Sequence, residues 1–131
     1  MLRAMNYHVA SIAPPGKDGG VDIVAYKDPL GVELPRLKVQ VKHTDGTIGR
    51  PEIQKFFGVL GQDDVGIYVS LGGFSGDAKE AVRSHATAKV TLLDTNELVK
   101  LWQRYYETIL ESEKHFLRLE PVYFLAADDS P

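Results

Sequence analysis

One acidic residue lies inside an apolar segment near the start of the chain. Asp22 is embedded in residues 20–26, GVDIVAY, between Val21 and the apolar run that begins at Ile23. An ionised carboxylate among apolar side chains is costly unless a cation or several hydrogen-bond donors contact it. The sequence therefore poses the question of which group meets the Asp22 carboxylate.

A second segment, residues 37–43 (LKVQVKH), alternates apolar and polar side chains. This period of two predicts a strand with one apolar and one polar face. If the strand pairs with the Asp22 segment in an antiparallel hairpin centred on Gly31, Asp22 falls opposite Gln40. Directly opposed residues share a face, with Cβ atoms roughly 5 Å apart. Lys42 lies two residues further along the same face.

These residue types suit the hydrolysis of a phosphate ester. The Asp22 carboxylate, the Gln40 amide oxygen and the Val41 backbone carbonyl are hard oxygen ligands, and magnesium needs few protein ligands because it keeps several waters. A divalent cation lowers the pKa of a water and polarises a phosphoryl oxygen, while Lys42 can stabilise or orient the hydroxide. From the spacing alone, a structural Asp22–Lys42 ion pair that closes the hairpin remains an open alternative.

The remaining sequence predicts the elements that position these residues. Strands are predicted at residues 7–13, 20–26, 37–43, 65–71 and 90–93, and helices at 51–60, from the Ser75 N-cap through Val82, and from the Asp94–Glu97 capping box to Ile109. The first three strands are close enough for a meander, whereas the later strands need crossovers. The predicted fold class is α/β, with a mixed central sheet flanked by helices.

The sequence patterns that indicate secondary structure are weaker at the two ends of the chain. Residues 1–6, MLRAMN, look like the last turn of a first helix whose beginning is missing. Residues 121–126, PVYFLA, are predicted either as a last strand or as part of a C-terminal tail, over 114–131, that packs on the domain. We therefore expect a single domain over residues 1–131.

The composition limits the class of protein. With 131 residues, 44% hydrophobic and 25% charged, the chain is ordinary for one soluble globular domain. It contains no cysteine, which excludes disulfides and thiolate metal sites. The sequence also lacks a signal-peptide pattern and an apolar run of the roughly 18 residues that would cross a membrane. A cytoplasmic location is the expectation.

The net charge of −3 is unevenly distributed. Residues 1–60 carry eight Lys or Arg against six Asp or Glu, whereas residues 61–131 carry seven against twelve. Positive charge therefore gathers around the predicted site, where it favours phosphate binding. The candidate contacts to backbone phosphates are Lys17, Lys38, Arg50 and Lys55. A solvated face explains each of them equally well.

Several segments, in this order, resemble the Mrr-type branch of the PD-(D/E)xK nuclease superfamily. They are GKDGGVDIVAY, VQVKH, GRPEIQKFFGVLG and GIYVSLGGFSGDAKEA, followed by LLDTNELVKLW and LEPVYFLA. The resemblance extends from about residue 3 to residue 126. Members of this branch are catalytic domains of restriction systems that often act on modified DNA.

The resemblance implies a type IV, Mrr-like DNA endonuclease with a restriction-endonuclease-like fold, dependent on Mg²⁺ or, in its place, Mn²⁺. Matched to the family motif, Asp22 binds the metal and Lys42 is the catalytic lysine. Gln40 stands where most of the superfamily has Glu or Asp, and Gln is the usual substitute in this branch. The implied partners are DNA and either a second copy of the chain or a separate DNA-recognition domain.

Two features depart from the family pattern. The first helix, which often carries an acidic residue facing the site, is represented here only by its last turn. Gln40 carries no charge, which weakens attraction for a cation. The scissile phosphate, Asp18 or Glu52 could add negative charge.

Three alternatives to a restriction nuclease follow from these residues. A structure-selective or repair nuclease of the same fold would use the same chemistry on another substrate. A catalytically inactive module would retain the nuclease fold for DNA binding or assembly, which the neutral Gln40 favours and the intact Asp22 and Lys42 oppose. A purely structural domain held by an Asp22–Lys42 pair would bind no metal.

Overall fold

Five strands form one mixed sheet in the computed structural model, which describes residues 1–14 and 20–127. The elements are β1 (His8–Ile12), β2 (Ile23–Tyr26), β3 (Arg36–Lys42), α1 (Arg50–Gly58), β4 (Asp64–Ser70), α2 (Gly76–Ser84), β5 (Lys89–Leu93) and α3 (Thr95–Arg104). The strands lie side by side in chain order, antiparallel from β1 to β3 and parallel from β3 to β5. The predicted order of elements and the mixed α/β sheet are confirmed.

The hairpin of β2 and β3 has the register that its symmetry about Gly31 predicts. Ile23 pairs with Val39, and the pairing continues in step through Ala25. The ladder ends at the Ile23–Val39 pair, and Asp22 follows beside Gln40, with contacts to Val39 and Val41 on either side of it. Asp22 lies just before β2, where its N–H donates to the Val39 carbonyl at 2.7 Å.

The two helices α1 and α2 cover the sheet face that carries the polar side chains of β3. Phe56 from α1 packs edge-on against Tyr68 of β4, with ring centroids 5.2 Å apart, and Ala78 from α2 joins the same buried cluster. A Cβ at Gly66 would lie 2.7 Å from Phe56 Cε1, so this close approach of α1 to β4 requires glycine. The packing therefore fixes α1 directly over the predicted site.

The opposite face of the sheet is apolar. An apolar groove of about 390 Å³ lies there, between the sheet, α3 and the first residues of the chain. Its lining includes Met1, Met5, Val39, Ile67 and Leu101. Residues Arg3–Met5 form a 3₁₀ turn, where the sequence predicts the last turn of a helix.

The chain after α3 is only partly attached to the domain. Trp102 Nε1 donates to the Leu117 carbonyl at 2.7 Å, and the Leu119 N–H donates to the Tyr106 hydroxyl at 3.2 Å. Residues 120–127 are exposed and have no regular structure, so the strand predicted as one possibility there is not formed. No helix within the described residues is long and apolar enough to span a membrane.

A buried carboxylate joins the amino ends of β3 and β4. Asp64 accepts hydrogen bonds from Arg36 Nε at 2.8 Å and from the Gly61 N–H at 2.6 Å, and Lys38 Nζ lies 2.8 Å from its Oδ2. Burial acts to raise the pKa of Asp64, but the hydrogen bonds from these three partners outweigh it and hold the pKa well below its ordinary value. The ionised form of Asp64 therefore stabilises the fold.

Replacing this carboxylate should destabilise the protein. We expect Asp64→Asn to lower the free energy of unfolding by about 2 kcal/mol at pH 7, below the roughly 3–5 kcal/mol of a fully buried pair, because the Arg36 side chain is 38% exposed. The depressed pKa makes this stabilisation complete above the unfolded value, about 3.9, and it is lost as the pH falls below that value. Urea unfolding at pH 7 and pH 3 measures both effects.

The exposed residue Asp63, next to Asp64 in the chain, provides the control for the unfolding measurement. Asp63→Asn removes the same charge from a side chain in an exposed position, and its unfolding curve should match the parent protein within about 0.5 kcal/mol. An Asp64→Asn protein as stable as the Asp63→Asn protein at pH 7 would contradict the assignment.

Candidate functional site

The carboxyl end of β3 brings the predicted site residues together. Gln40 and Lys42 belong to the β3 face that α1 covers, and Asp22 joins them from the segment just ahead of β2. All three side chains are half-buried. Two neighbouring segments of the sheet thus contribute a carboxylate, an amide and an ammonium group to one end of the fold.

The Asp22 carboxylate is held by the backbone of β3. Its Oδ2 accepts the Val41 N–H at 2.6 Å, which fixes the side chain and leaves Oδ1 as a further acceptor. Among the ion pairs of residues 1–14 and 20–127, none joins Asp22 to Lys42. The direct ion pair that the spacing left open is therefore not formed, and Lys42 keeps its ammonium group for another contact.

A cleft of about 430 Å³ opens beside Gln40 and Lys42. Its other lining residues are Gly20, Glu52, Lys55, Val59 and Tyr68. Because the carboxyl ends of the parallel strands β3 and β4 meet at this edge of the sheet, the cleft occupies a place where such sheets commonly bind ligands. The combination of two lysines with amide and carboxylate oxygens suits a phosphate group accompanied by a cation.

Tyr68 of β4 forms one wall of this cleft, a position that was not predicted from the sequence. Tyr68 pairs with Gln40 across the parallel ladder, so both side chains lie on one face. Burial raises the pKa of Tyr68 to about 12, assisted by the negative charges of Glu52 and Asp22. At neutral pH the hydroxyl is therefore a donor. Tyr68 and Ser70 carry the two hydroxyl groups of the otherwise apolar segment VGIYVSL, and this is the sequence signal that could have identified Tyr68.

The oxygen donors at this site fit a hard divalent cation. The free Oδ1 of Asp22 and the amide oxygen of Gln40 are ligands of the required type. The N–H and C=O of one strand residue point to the same edge, so the Val41 carbonyl also lies on the Asp22 side of β3. The described residues include no group of three or more His, Cys, Asp or Glu that could hold a metal. A cation here would thus depend on mixed ligands and on water, as magnesium does.

Lys38 has a different role from its neighbours on the same strand. Its Nζ lies 2.8 Å from Asp64 Oδ2 and donates to the Val59 carbonyl at 2.8 Å. The side chain is 18% exposed. We expected Lys38 to contact phosphate, but its ammonium group is engaged inside the protein, and the geometry assigns it to holding α1 on the sheet.

The other predicted DNA contacts are distributed around the cleft. Lys55 lines the cleft, and Arg50 is the first residue of α1, on the same side of the sheet. Lys17 lies outside the described residues, as does the acidic candidate Asp18. Glu52 in the first turn of α1 is a lining residue.

The different positions of the two lysines predict different effects on stability. Lys38→Ala should lower the free energy of unfolding by about 2 kcal/mol, because it removes two charge-assisted contacts. Lys42→Ala, which removes no ion pair within the described residues, should change it by less than about 0.5 kcal/mol. Parallel chemical denaturation of the two variants and the parent chain measures this difference. Equal losses for both lysines would contradict these assignments.

Comparison with known proteins identifies the family and the fold of the chain. Residues 1–102 match the family model Mrr_cat, described as a restriction endonuclease. The chain is 36% identical over 86 residues to the type IV methyl-directed restriction enzyme EcoKMrr of Escherichia coli (strain K12). This alignment covers 64% of the chain and 27% of that enzyme.

A solved structure shares the fold. The chain is similar to the MspJI restriction endonuclease, determined in complex with a 27-mer oligonucleotide, with a TM-score of 0.60 at 21% identity. The superposition covers 85% of this chain and 27% of MspJI. The chain therefore spans about a quarter of the length of each of these two proteins.

Proposed function

Because the chain belongs to the Mrr_cat restriction endonuclease family, we propose that it is the catalytic domain of a DNA endonuclease that hydrolyses phosphodiester bonds with Mg²⁺, for which Mn²⁺ can substitute. The observation that carries this proposal is the convergence of Asp22, Gln40 and Lys42 beside one cleft. That convergence combines oxygen ligands for a cation with an ammonium group free to contact phosphate.

Each residue has a defined role in this proposal. Asp22, Gln40 and the Val41 carbonyl hold the cation, and the bond from the Val41 N–H keeps the Asp22 carboxylate in position. The bound cation supplies a Lewis acid that lowers the pKa of a water and polarises a phosphoryl oxygen. Lys42 stabilises the charge that develops on the phosphate and orients the attacking water.

The surface around the cleft supplies the contacts to DNA. Lys55 and Arg50 lie on α1, beside the site, and Lys17 remains a sequence-based candidate. Contacts of this kind bind phosphates without reading the base sequence. The name of the EcoKMrr relative describes a methyl-directed enzyme, and we extend that substrate class to this chain. We expect a second copy of the chain or a partner domain to take part in double-strand cleavage, because one small site cuts one strand at a time.

The second candidate function is an inactive module that keeps the fold for binding. The neutral Gln40, in a position where a carboxylate would attract the cation more strongly, is the observation that favours it. Such a module would bind duplex DNA but leave it intact. The two functions therefore differ in one measurable property, the metal-dependent breakage of a phosphodiester bond.

Cleavage of supercoiled plasmid tests the proposal. We expect the 131-residue chain to nick or linearise the plasmid with Mg²⁺ or Mn²⁺, and to prefer methylated over unmethylated plasmid. Lys42→Ala should reduce the rate by about 100-fold or more, since it removes a group that stabilises charge in the transition state. The matched control is Lys100→Ala, an exposed lysine on α3 paired with Glu97, which should cleave like the parent.

The outcomes of this assay separate the candidates. Metal-dependent cleavage that Lys42→Ala abolishes and Lys100→Ala keeps supports the nuclease. Intact plasmid in the presence of folded, DNA-binding protein supports the inactive module instead. Cleavage of equal rate in the parent and Lys42→Ala proteins would remove Lys42 from the proposed site.

Salt dependence tests the proposed contacts to DNA. Lys55→Ala should weaken binding to any duplex and reduce the slope of log K against log salt by about 1, because one fewer counterion is released. Lys79→Ala, an exposed lysine on α2 away from the cleft, should leave the slope unchanged. Fluorescence anisotropy at several salt concentrations measures both slopes, and identical slopes for the two variants would remove Lys55 from the interface.

A further inference from the structure

Glu52 is an acidic residue in the cleft to which the proposed reaction gives no role. It lies in the first turn of α1 and lines the cleft together with Gln40 and Lys42. It approaches from a different element than Asp22, which enters from the segment ahead of β2. Glu52 thus brings a carboxylate to the cleft from a part of the fold that is independent of Asp22.

The contacts of Glu52 leave part of its carboxylate available. Oε2 accepts the Gly49 N–H at 3.1 Å, which caps the start of α1. Within residues 1–14 and 20–127, no ion pair joins Glu52 to a lysine or an arginine, and no hydrogen bond reaches Oε1. The helix cap uses one oxygen, and the second can bind another group.

Gln40 connects the two carboxylates to one site. It lines the cleft together with Glu52 and Tyr68, and Asp22 lies beside it in the hairpin, where the Asp22 Oδ2 accepts the Val41 N–H. Both carboxylates therefore neighbour the Gln40 amide, which belongs to the proposed metal site.

The charge balance of the cleft favours a role for this second carboxylate. Lys42 and Lys55 line the same cleft and repel a divalent cation, whereas Gln40 is neutral and cannot offset them. With Asp22 as the one carboxylate ligand, a single negative charge would face the two ammonium groups of Lys42 and Lys55. We propose that Glu52 is a carboxylate ligand of the cation and supplies the charge that Gln40 lacks. This inference rests on the proposed function and extends its metal site to α1.

The substitution Glu52→Gln separates the effect of the negative charge from the effect of the hydrogen bond that caps α1. Glutamine also serves at the third position of a capping box, so the bond to Gly49 can be kept while the charge is removed. We expect Glu52→Gln to weaken Mn²⁺ binding by at least about 10-fold, while thermal unfolding shows that the variant remains folded, with at most a small loss of stability from the removed charge at the helix N-terminus. Electron paramagnetic resonance of free Mn²⁺, titrated into the full 131-residue chain with and without a short duplex, measures this affinity directly.

Two further variants make the result decisive. Glu80→Gln removes an equal charge from an exposed position on α2, where Glu80 pairs with Arg83, and should bind Mn²⁺ like the parent. Asp22→Asn removes the central ligand of the proposed function and should nearly abolish binding. Glu52→Asp, which keeps the charge on a shorter side chain, should bind more tightly than Glu52→Gln.

Each outcome bears on a separate claim. Weakened binding in Glu52→Gln but not in Glu80→Gln supports the inference. Parent-like binding in Glu52→Gln, with binding lost in Asp22→Asn, overturns the role of Glu52 and leaves the proposed function intact. Equal weakening in Glu52→Gln and Glu80→Gln also overturns it, because net charge would then explain the loss. If the parent chain binds no Mn²⁺ even with duplex, the proposed metal site itself fails.

Discussion

The contact of Lys38 with Asp64 and with the end of α1 is the constraint on which the arrangement of the site depends. Asp64 begins β4, Lys38 lies on β3, and the Val59 carbonyl that Lys38 also contacts follows directly after α1. One ammonium group thereby joins three successive elements of the chain. Because α1 carries Glu52 and Lys55, its attachment to β3 determines how far these side chains lie from Gln40 and Lys42. The position of the cleft therefore depends on a contact at its edge, where Val59 is also a lining residue.

The polar face of β3 therefore has a structural part and a part that lines the cleft. The ammonium group of Lys38 is paired with Asp64 inside the protein. Gln40 and Lys42, further along the same face, line the cleft. The strand periodicity makes this division strict, since a shift of one residue would move all three side chains to the apolar face that packs toward α3. The register of β3 against both neighbours is thus a condition for the fold and for the site at once. Functional and structural constraints act on the same backbone hydrogen bonds.

The local features of the fold were predictable, and the contacts between distant segments were not. The register of Asp22 against Gln40 was predicted from a hairpin taken as symmetric about Gly31, and the connection over residues 27–35 keeps that symmetry between β2 and β3. The chain between the paired strands β3 and β4 forms α1, so no short loop indicated their register. The sequence therefore did not predict that Asp64 would contact Lys38 or that Tyr68 would lie beside Gln40. Lys38 was grouped with the candidate phosphate contacts, because positive charge gathers in this part of the sequence. The final helix was also predicted too long, since α3 ends at Arg104 and the chain tightens into a 3₁₀ turn at Tyr106–Thr108.

The neutral amide at position 40 has a physical advantage in this setting. Gln40 is half-buried between Asp22 and the wall formed by Tyr68, and a second carboxylate there would repel Asp22 and raise the pKa of one of the two groups. A carboxylate in the first turn of a helix is instead stabilised by the partial positive charge of the helix N-terminus. Glu52 occupies such a position, is exposed to water and already accepts a backbone N–H. Placing the second charge on α1 therefore avoids a second carboxylate directly beside Asp22, and it makes the proposed attraction for a cation depend on the same packing of α1 that Lys38 secures.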